Sequence, residues 1–600
     1  GGAGGGAPPR RDGTVDTERS ATRPPASAAS IPRPEHPRPR LQRARWINLN
    51  GIWDFAVDPP EATPVVPGDV DFDTTILVPF PPESHASGVH EQDFMPSVWY
   101  RRRVTVPTAW AAVVPTLRIG AAEYHTRVFV NGVLAHEHWG GSTRIDVDLR
   151  PHAQPGDEVE VVLHCRDDVR TGLQPGGKQS ALQESHGCFY TRVTGVWQTV
   201  WLEAVPEGGL DDVVVQASAA TRTLVLTPRL LPWPGARRWR VRVFDGELEL
   251  SRAEADAATG RPLVVTAPNA RAWTPADPVL YTLAIEVEGA DGAVLDSVRS
   301  YAGFRDVELR GNQILLNGEP LVQRLVLDQG YWPASLWTAP SDDALRRDIE
   351  LGQALGFDGA RLHQKVFEPR YHYWADRLGY LTWAEFPSWG LDLRAPEAAR
   401  NVLPEWAEVV RELRHHPSIV AWTPFNETDP TVALDPHHAR TLRDAVALTR
   451  ALDPSRPVND ASGWVHVDTD LWTVHHYTQD ADELSRLLAP YPAVLRNEPE
   501  LEPAYAGQPL ILDEFGGIKW IPSGEAVRPE DWGYGDEARS EAEFVERLAA
   551  LVAAARAHDH VAGYCYTQLT DVEQERNGLL TADRRPKLDV AIVRRIVRGR

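Results

Sequence analysis

The sequence predicts a multidomain protein in which two antiparallel β-sandwiches precede a (β/α)8 barrel. Three observations lead there. The chain has 600 residues, too many for one hydrophobic core. As far as residue 305 the apolar residues recur mostly at every second position, the mark of half-buried strands. From residue 306 onward short apolar runs alternate with amphipathic helices, the grammar of a parallel sheet.

Residues 1–40 are Gly, Pro, Ser, Ala and Arg with almost no large apolar side chain, so they cannot offset their ordering entropy and are expected to be disordered. The opening GGAGGG is no phosphate loop, because neither a strand nor a helix flanks it. Residues 41–205 read as successive strands. Val159, Val161 and Leu163 face one way along one strand, and Val128-Phe129-Val130 runs into the hairpin turn Asn131-Gly132. A jelly roll is the expected outcome. Residues 206–305 repeat the pattern, with Trp239, Val241 and Val243 alternating with Arg238, Arg240 and Arg242, and suit an immunoglobulin-like sandwich.

In residues 306–600 Ser341 caps a helix carrying Leu345 and Ile349 and ended by Gly356. Another helix is expected to start after Pro404, and Ser540 with Glu543 forms a capping box. Eight apolar runs lie among these helices, at 320–327, 358–362, 380–385, 418–424, 456–460, 471–475, 509–513 and 561–566. Eight alternating units make a TIM barrel, whose chemistry sits at the C-terminal ends of its strands.

The bulk numbers exclude several functions. A net charge of -22 argues against nucleic acid, whose phosphates need a basic surface. No apolar run approaches the roughly 18 residues of a membrane span. Three cysteines, Cys165, Cys188 and Cys565, offer neither a disulfide framework nor metal-ligand spacing. No apolar leader opens the chain, so a cytoplasmic location is expected. Lys178, Lys365, Lys519 and Lys587 are the only lysines, a bias read as one of coding rather than chemistry.

Two strand ends carry a carboxylate. The fourth run continues into Asn426-Glu427, and the seventh into Asp513-Glu514-Phe515-Gly516. Strands four and seven lie across a barrel mouth from each other. Two carboxyl groups about 5 Å apart are what glycoside cleavage with retention needs, one ionised to attack and one protonated to release the leaving group.

These motifs resemble glycoside hydrolase family 2, the family of β-galactosidases, β-glucuronidases and β-mannosidases. The resemblance extends through Trp46-Ile47-Asn48-Leu49-Asn50-Gly51-Ile52-Trp53, Trp99-Tyr100-Arg101-Arg102, Gly195-Val196-Trp197-Gln198, Trp273-Thr274-Pro275 and Gly303-Phe304-Arg305, in that order. It implies a sugar-binding jelly roll, Glu427 as acid/base, Glu514 as nucleophile, and Asn426 on the sugar 2-hydroxyl. It also implies that Tyr477 bonds Glu514 and that a neighbouring imidazole, His476, reaches the sugar, although His475, His476 and Tyr477 also suit plain packing.

Arg361 and His363 end strand two, where an Arg keeps a nucleophile ionised or else forms a surface ion pair. Asp328 either grips sugar hydroxyls or caps its loop, and Trp332 offers a face for stacking. The chain departs from the family at strand eight, where Tyr566 stands in for the usual Trp, and it lacks the Asn-x-Lys motif by which β-glucuronidases take the uronate carboxylate.

The expected activity is that of a retaining exo-β-glycosidase acting on a carbohydrate, with no cofactor and no metal. A homo-oligomer is compatible with the family. The alternative is a carbohydrate-binding protein on the same scaffold that has lost catalysis.

Overall fold

The structure is a computed structural model that describes residues 30–61, 66–429, 431, 435–489, 496 and 498–599. Residues 1–29, most of the segment expected to be disordered, lie outside the described residues. The rest of that segment corrects the expectation. Arg33, Arg38 and Arg40 are buried, and they pair with Glu368, Glu412 and Asp212. The segment has almost no large apolar side chain, yet arginine stems bury while their guanidinium forks meet carboxylates of the second sandwich and of the barrel.

The N-terminal jelly roll packs two antiparallel sheets. One orders Trp46–Asn48, Val200–Pro206, Val113–Ile119 and Ile145–Asp148; the other runs from Thr74–Val78 through Gly51–Val57, Ser97–Thr105, Glu158–Arg166 and His125–Val130 to Val133–Trp139. Trp53, Phe55, Tyr100, Val161 and Leu163 fill the space between them. The immunoglobulin-like sandwich follows, with three strands facing four, and its core holds Trp239, Val241, Val243, Leu283, Ile285 and Val287. Alternation along each strand puts these side chains on one face and the arginines on the other.

The barrel strands are β1 (Gln323–Asp328), β2 (Gly359–Leu362), β3 (Leu381–Glu385), β4 (Ile419–Thr423), β5 (Ala461–Ser462), β6 (Trp472–His476), β7 (Leu510–Gly516) and β8 (Val561–Thr567). Seven form one continuous parallel sheet in the order β4-β3-β2-β1-β8-β7-β6. The expected fifth run contributes only one bridge, Trp422 to Val458, before β5 pairs with Phe425–Asn426. Leu325, Leu327, Trp383, Val420, Ile511 and Cys565 fill the interior, and Ile314 and Trp273 close its N-terminal end.

Ser341 and Ser540 accept the N–H groups of Ala344 and Glu543, as helix caps do. The helix expected to begin after Pro404 instead spans Pro396–Leu413 with Pro404 inside it. Its buried stripe of Ala398, Val402, Trp406, Val409 and Val410 outweighs the one backbone bond the proline removes. Among the described residues no helix is long and apolar enough to cross a membrane.

Candidate active site

Strand β4 stops at Thr423, and the chain turns through Pro424 so that Asn426 and Glu427 stand at the mouth. Glu427 adopts a φ of 38°, and its N–H donates to the Ser462 carbonyl at 3.0 Å. This left-handed conformation is uncommon for a side-chain-bearing residue and marks an imposed orientation. Glu514 lies within β7, where the register with β6 shifts beside His475.

Carboxyl oxygens of Glu427 and Glu514 and a ring nitrogen of His475 all lie within 4.8 Å of one another. Arg361, fully buried on β2, organises the floor. It donates to Glu514 Oε1 through Nη1 and Nη2 at 3.0 Å each, to Glu385 at 2.8 Å and to Asn426 Oδ1 at 2.8 Å. The Tyr477 hydroxyl donates to the other Glu514 oxygen at 2.5 Å. His475 Nδ1 sits 2.6 Å from Glu427 Oε1 and 3.4 Å from Glu514 Oε2, and its Nε2 is 3.1 Å from Asp513.

Burial alone would raise the Glu514 carboxyl, but the charges of His475 and Arg361 and the Tyr477 hydroxyl outweigh it and hold it at about 2. Burial likewise opposes charge on His475, yet Glu514 and Asp513 push it up to about 10, so it is a cation at neutral pH. His363 behaves oppositely. Burial and the nearby Lys178 and Arg361 hold it well below its usual value. Arg361 Nη2 donates to His363 Nδ1 at 2.9 Å, so that nitrogen is an acceptor. The 3.1 Å approach of Glu385 to it is therefore not an ion pair.

Glu427, Glu514, Asn426, Arg361, His363 and Tyr477 thus converge on one opening, and four other expected residues do not. His476 is half-buried and accepts the Thr478 N–H at 3.2 Å; the imidazole between the glutamates is His475. Residues two apart share a strand face, so His475 goes with Tyr477.

Tyr566 is fully buried edge-on to Phe515, in the layer between strands and helices. Its neighbour Thr567 faces the mouth instead, with its hydroxyl 3.0 Å from that of Tyr477. Asp328 accepts the Gly330 N–H at 3.0 Å, which makes it a loop cap, and burial together with Asp348 pushes it up to about 6. Trp332 is buried against Lys365 at 5.1 Å and Arg584 at 4.8 Å, with no face left for a sugar.

Further groups at the mouth come from loops that carry no periodic signal. Tyr534 stacks on Tyr477 at 3.5 Å between ring centres. Trp389 donates its indole N–H to the Asn426 carbonyl at 3.0 Å. A cleft of about 540 Å³ opens beside Asn426 and Glu427, walled by Phe189, Trp389, Leu391, Leu393 and Phe425, with Gly176, Gly177 and Gln179 from the jelly roll. The jelly-roll loop is stitched to the barrel. Gln574 donates to the carbonyls of Gly187 and Phe189, Trp532 also donates to Gly187, and the Tyr190 hydroxyl donates to Glu575.

Comparison with known proteins agrees with this architecture. The family model described as "Glycosyl hydrolases family 2, TIM barrel domain" matches residues 307–599, and that described as "Glycosyl hydrolases family 2" matches residues 233–305. A β-glucuronidase of Felis catus is 27% identical over 476 residues, covering 70% of this chain and 69% of its own length. One of Paenibacillus borealis is 24% identical over 440 residues, covering 68% and 72%. Among solved structures, a β-glucuronidase from Ruminococcus gnavus in complex with D-glucuronic acid superposes with a TM-score of 0.76 at 20% identity, covering 94% of this chain and 100% of its own. One from Dictyoglomus thermophilum gives 0.75 at 20%, covering 94% and 98%. With two models of one family matching residues 233–305 and 307–599, most of the second sandwich and the barrel, the chain belongs to glycoside hydrolase family 2.

Proposed function

We propose that the chain is a retaining exo-β-glycosidase that removes a terminal sugar by double displacement, with Glu514 as nucleophile and Glu427 as acid/base. The observation that carries this reading is the pair of carboxyl groups within 4.8 Å, a separation that leaves room for covalent attack but not for an intervening water. Their environments differ in the way the two roles require. Glu514 receives three hydrogen bonds from Arg361 and Tyr477 and stays ionised. Glu427 is more open to solvent, beside the cleft where a leaving group would depart.

In the first step Glu514 attacks the anomeric carbon while Glu427 gives its proton to the glycosidic oxygen, and the C–O bond to the leaving group breaks. In the second, Glu427 takes a proton from water, whose oxygen attacks the same carbon and releases Glu514. Asn426 has a buried Nδ2 with no partner, which suits it to a hydroxyl of the bound sugar. Exo action is supported by the jelly-roll loop that walls one side of the opening. The relatives named above make a β-glucuronide the first substrate to test.

A panel of 4-nitrophenyl glycosides checks the activity. In azide, Glu427→Ala is expected to regain turnover and yield a β-glycosyl azide, and Glu514→Ala an α-glycosyl azide. The opposite products would reverse the two roles. No turnover on any glycoside, with measurable sugar binding, would leave a carbohydrate-binding protein instead.

A further inference from the structure

Arginine is the default cation of this chain, and only four lysines stand among its 62 basic residues. Three of the four, Lys178, Lys365 and Lys587, are buried. Two of these are saturated. Lys365 donates to the carbonyls of Gly330 and Trp337 at 2.6 and 2.7 Å, and Lys587 to Asp571 at 2.6 Å and to the Trp520 carbonyl at 2.7 Å. Lys178 is different. It is 8% exposed, and among the described residues its ammonium takes part in no hydrogen bond or ion pair; its one close contact is the Trp389 ring at 5.1 Å. Burial opposes its charge, but the Cys188 thiol, then Glu575 and Glu514, outweigh it and push the ammonium above its usual value, with neither carboxylate within ion-pair distance.

The loop that presents Lys178 is fixed in place. Gly176 and Gly177 donate their N–H groups to the Trp389 carbonyl at 2.7 and 3.0 Å, and the Tyr190 N–H closes on the Lys178 carbonyl at 2.7 Å. Gly177 has a φ of 58°, and a side chain there would collide with the Gln364 carbonyl. The chain therefore holds an ammonium rigidly at the barrel mouth with no carboxylate within ion-pair distance. An isolated buried charge is costly, and a hydroxyl repays it far less than a formal anion does. The carboxylate that acts on it most strongly, Glu575, already receives the Tyr190 hydroxyl, the Gln329 amide and the Asn577 amide.

We propose that Lys178 is a specificity-determining residue whose ammonium binds the carboxylate of a terminal uronic acid, so that the jelly roll rather than the barrel supplies the cation for an acidic glycone. This rests on the reading of the chain as an exo-β-glycosidase and names the substrate class of that site. It also accounts for the absence of the Asn-x-Lys motif at the barrel's own loops.

The test compares wild type with Lys178→Met, which keeps the aliphatic length and removes the charge. On 4-nitrophenyl β-D-glucuronide and β-D-galactoside, the ratio of kcat/KM between the two sugars is expected to fall at least about 100-fold in the variant, as loss of a buried charge partner implies. An equal fall on both sugars overturns the proposal, as does a wild type that prefers the galactoside. A binding arm separates this from the catalytic reading. D-glucuronate should raise the thermal midpoint of wild type and not of the variant, whether or not either enzyme turns over; equal stabilisation of both overturns the role of Lys178. Lys178→Arg should recover part of the glucuronide preference, which a merely structural lysine would not require.

Discussion

The barrel mouth and the junction beneath residues 33–43 bury charge to a similar degree, but they complete it differently. At the junction Arg38, Arg40 and Arg144 surround Glu412, Arg43 and Arg118 share Glu203, and Arg33 meets Glu368. Single N–H groups of Arg38 and Arg40 stay unmatched, yet every guanidinium there has a carboxylate. At the mouth Arg361, Glu385 and Glu514 are equally enclosed, while Asn426 Nδ2, Gln179 Nε2 and Gln364 Nε2 have no partner and Lys178 has no anion. Completed charge holds domains together. Uncompleted charge at an opening waits for a ligand.

That contrast is sharpest where one carboxylate serves three cations. Glu412→Ala would leave Arg38, Arg40 and Arg144 crowded without their common partner. The expected cost is about 3–5 kcal/mol, read as a lowered thermal midpoint, with kcat/KM of the folded enzyme preserved. Lost activity at unchanged stability would break the comparison. Tyr477→Phe tests the other side. Removing one hydrogen bond to a charged nucleophile should lower kcat/KM by roughly 10- to 100-fold and leave the thermal midpoint nearly unmoved.

A third test is one of pH. His475 is raised in the fold to about 10 from 6.5, so its stabilisation is full below pH 6.5 and is lost as pH rises through 10. The junction carboxylates Glu203 and Glu412 are depressed, because arginine charges overcome the effect of burial, so their contribution is lost only as the solution becomes strongly acidic. Urea midpoints between pH 6 and pH 10 should therefore fall more steeply for wild type than for His475→Gln. Equal slopes would mean that the imidazole is not held as a cation.

Much of this was legible in the sequence wherever the chemistry is local along the chain. Glu427 and Glu514 end apolar runs, and the strands that carry them follow from periodicity alone. Facing was harder to read. His475 and Tyr566 turn on the parity of a single residue at strand ends, where β6 and β8 both shift register against β7. Asp328 ends β1 and Trp332 sits in the loop after it, which folds back over Lys365, a choice made by tertiary packing that no pattern near residue 330 announces. Residues 32–40 carry no large apolar side chain, and their order comes from charged partners 172 to 374 positions away. The scarcity of lysine was visible from the start; its meaning needed the burial of three of the four.

The bonds that tie residues 187–190 to residues 532 and 574–575 make the jelly roll and the barrel share one rim. Exchanging the amino-terminal module between relatives would transplant selectivity along with it, so diversification in this lineage is expected to proceed by inheritance of matched pairs rather than by drift of either module alone.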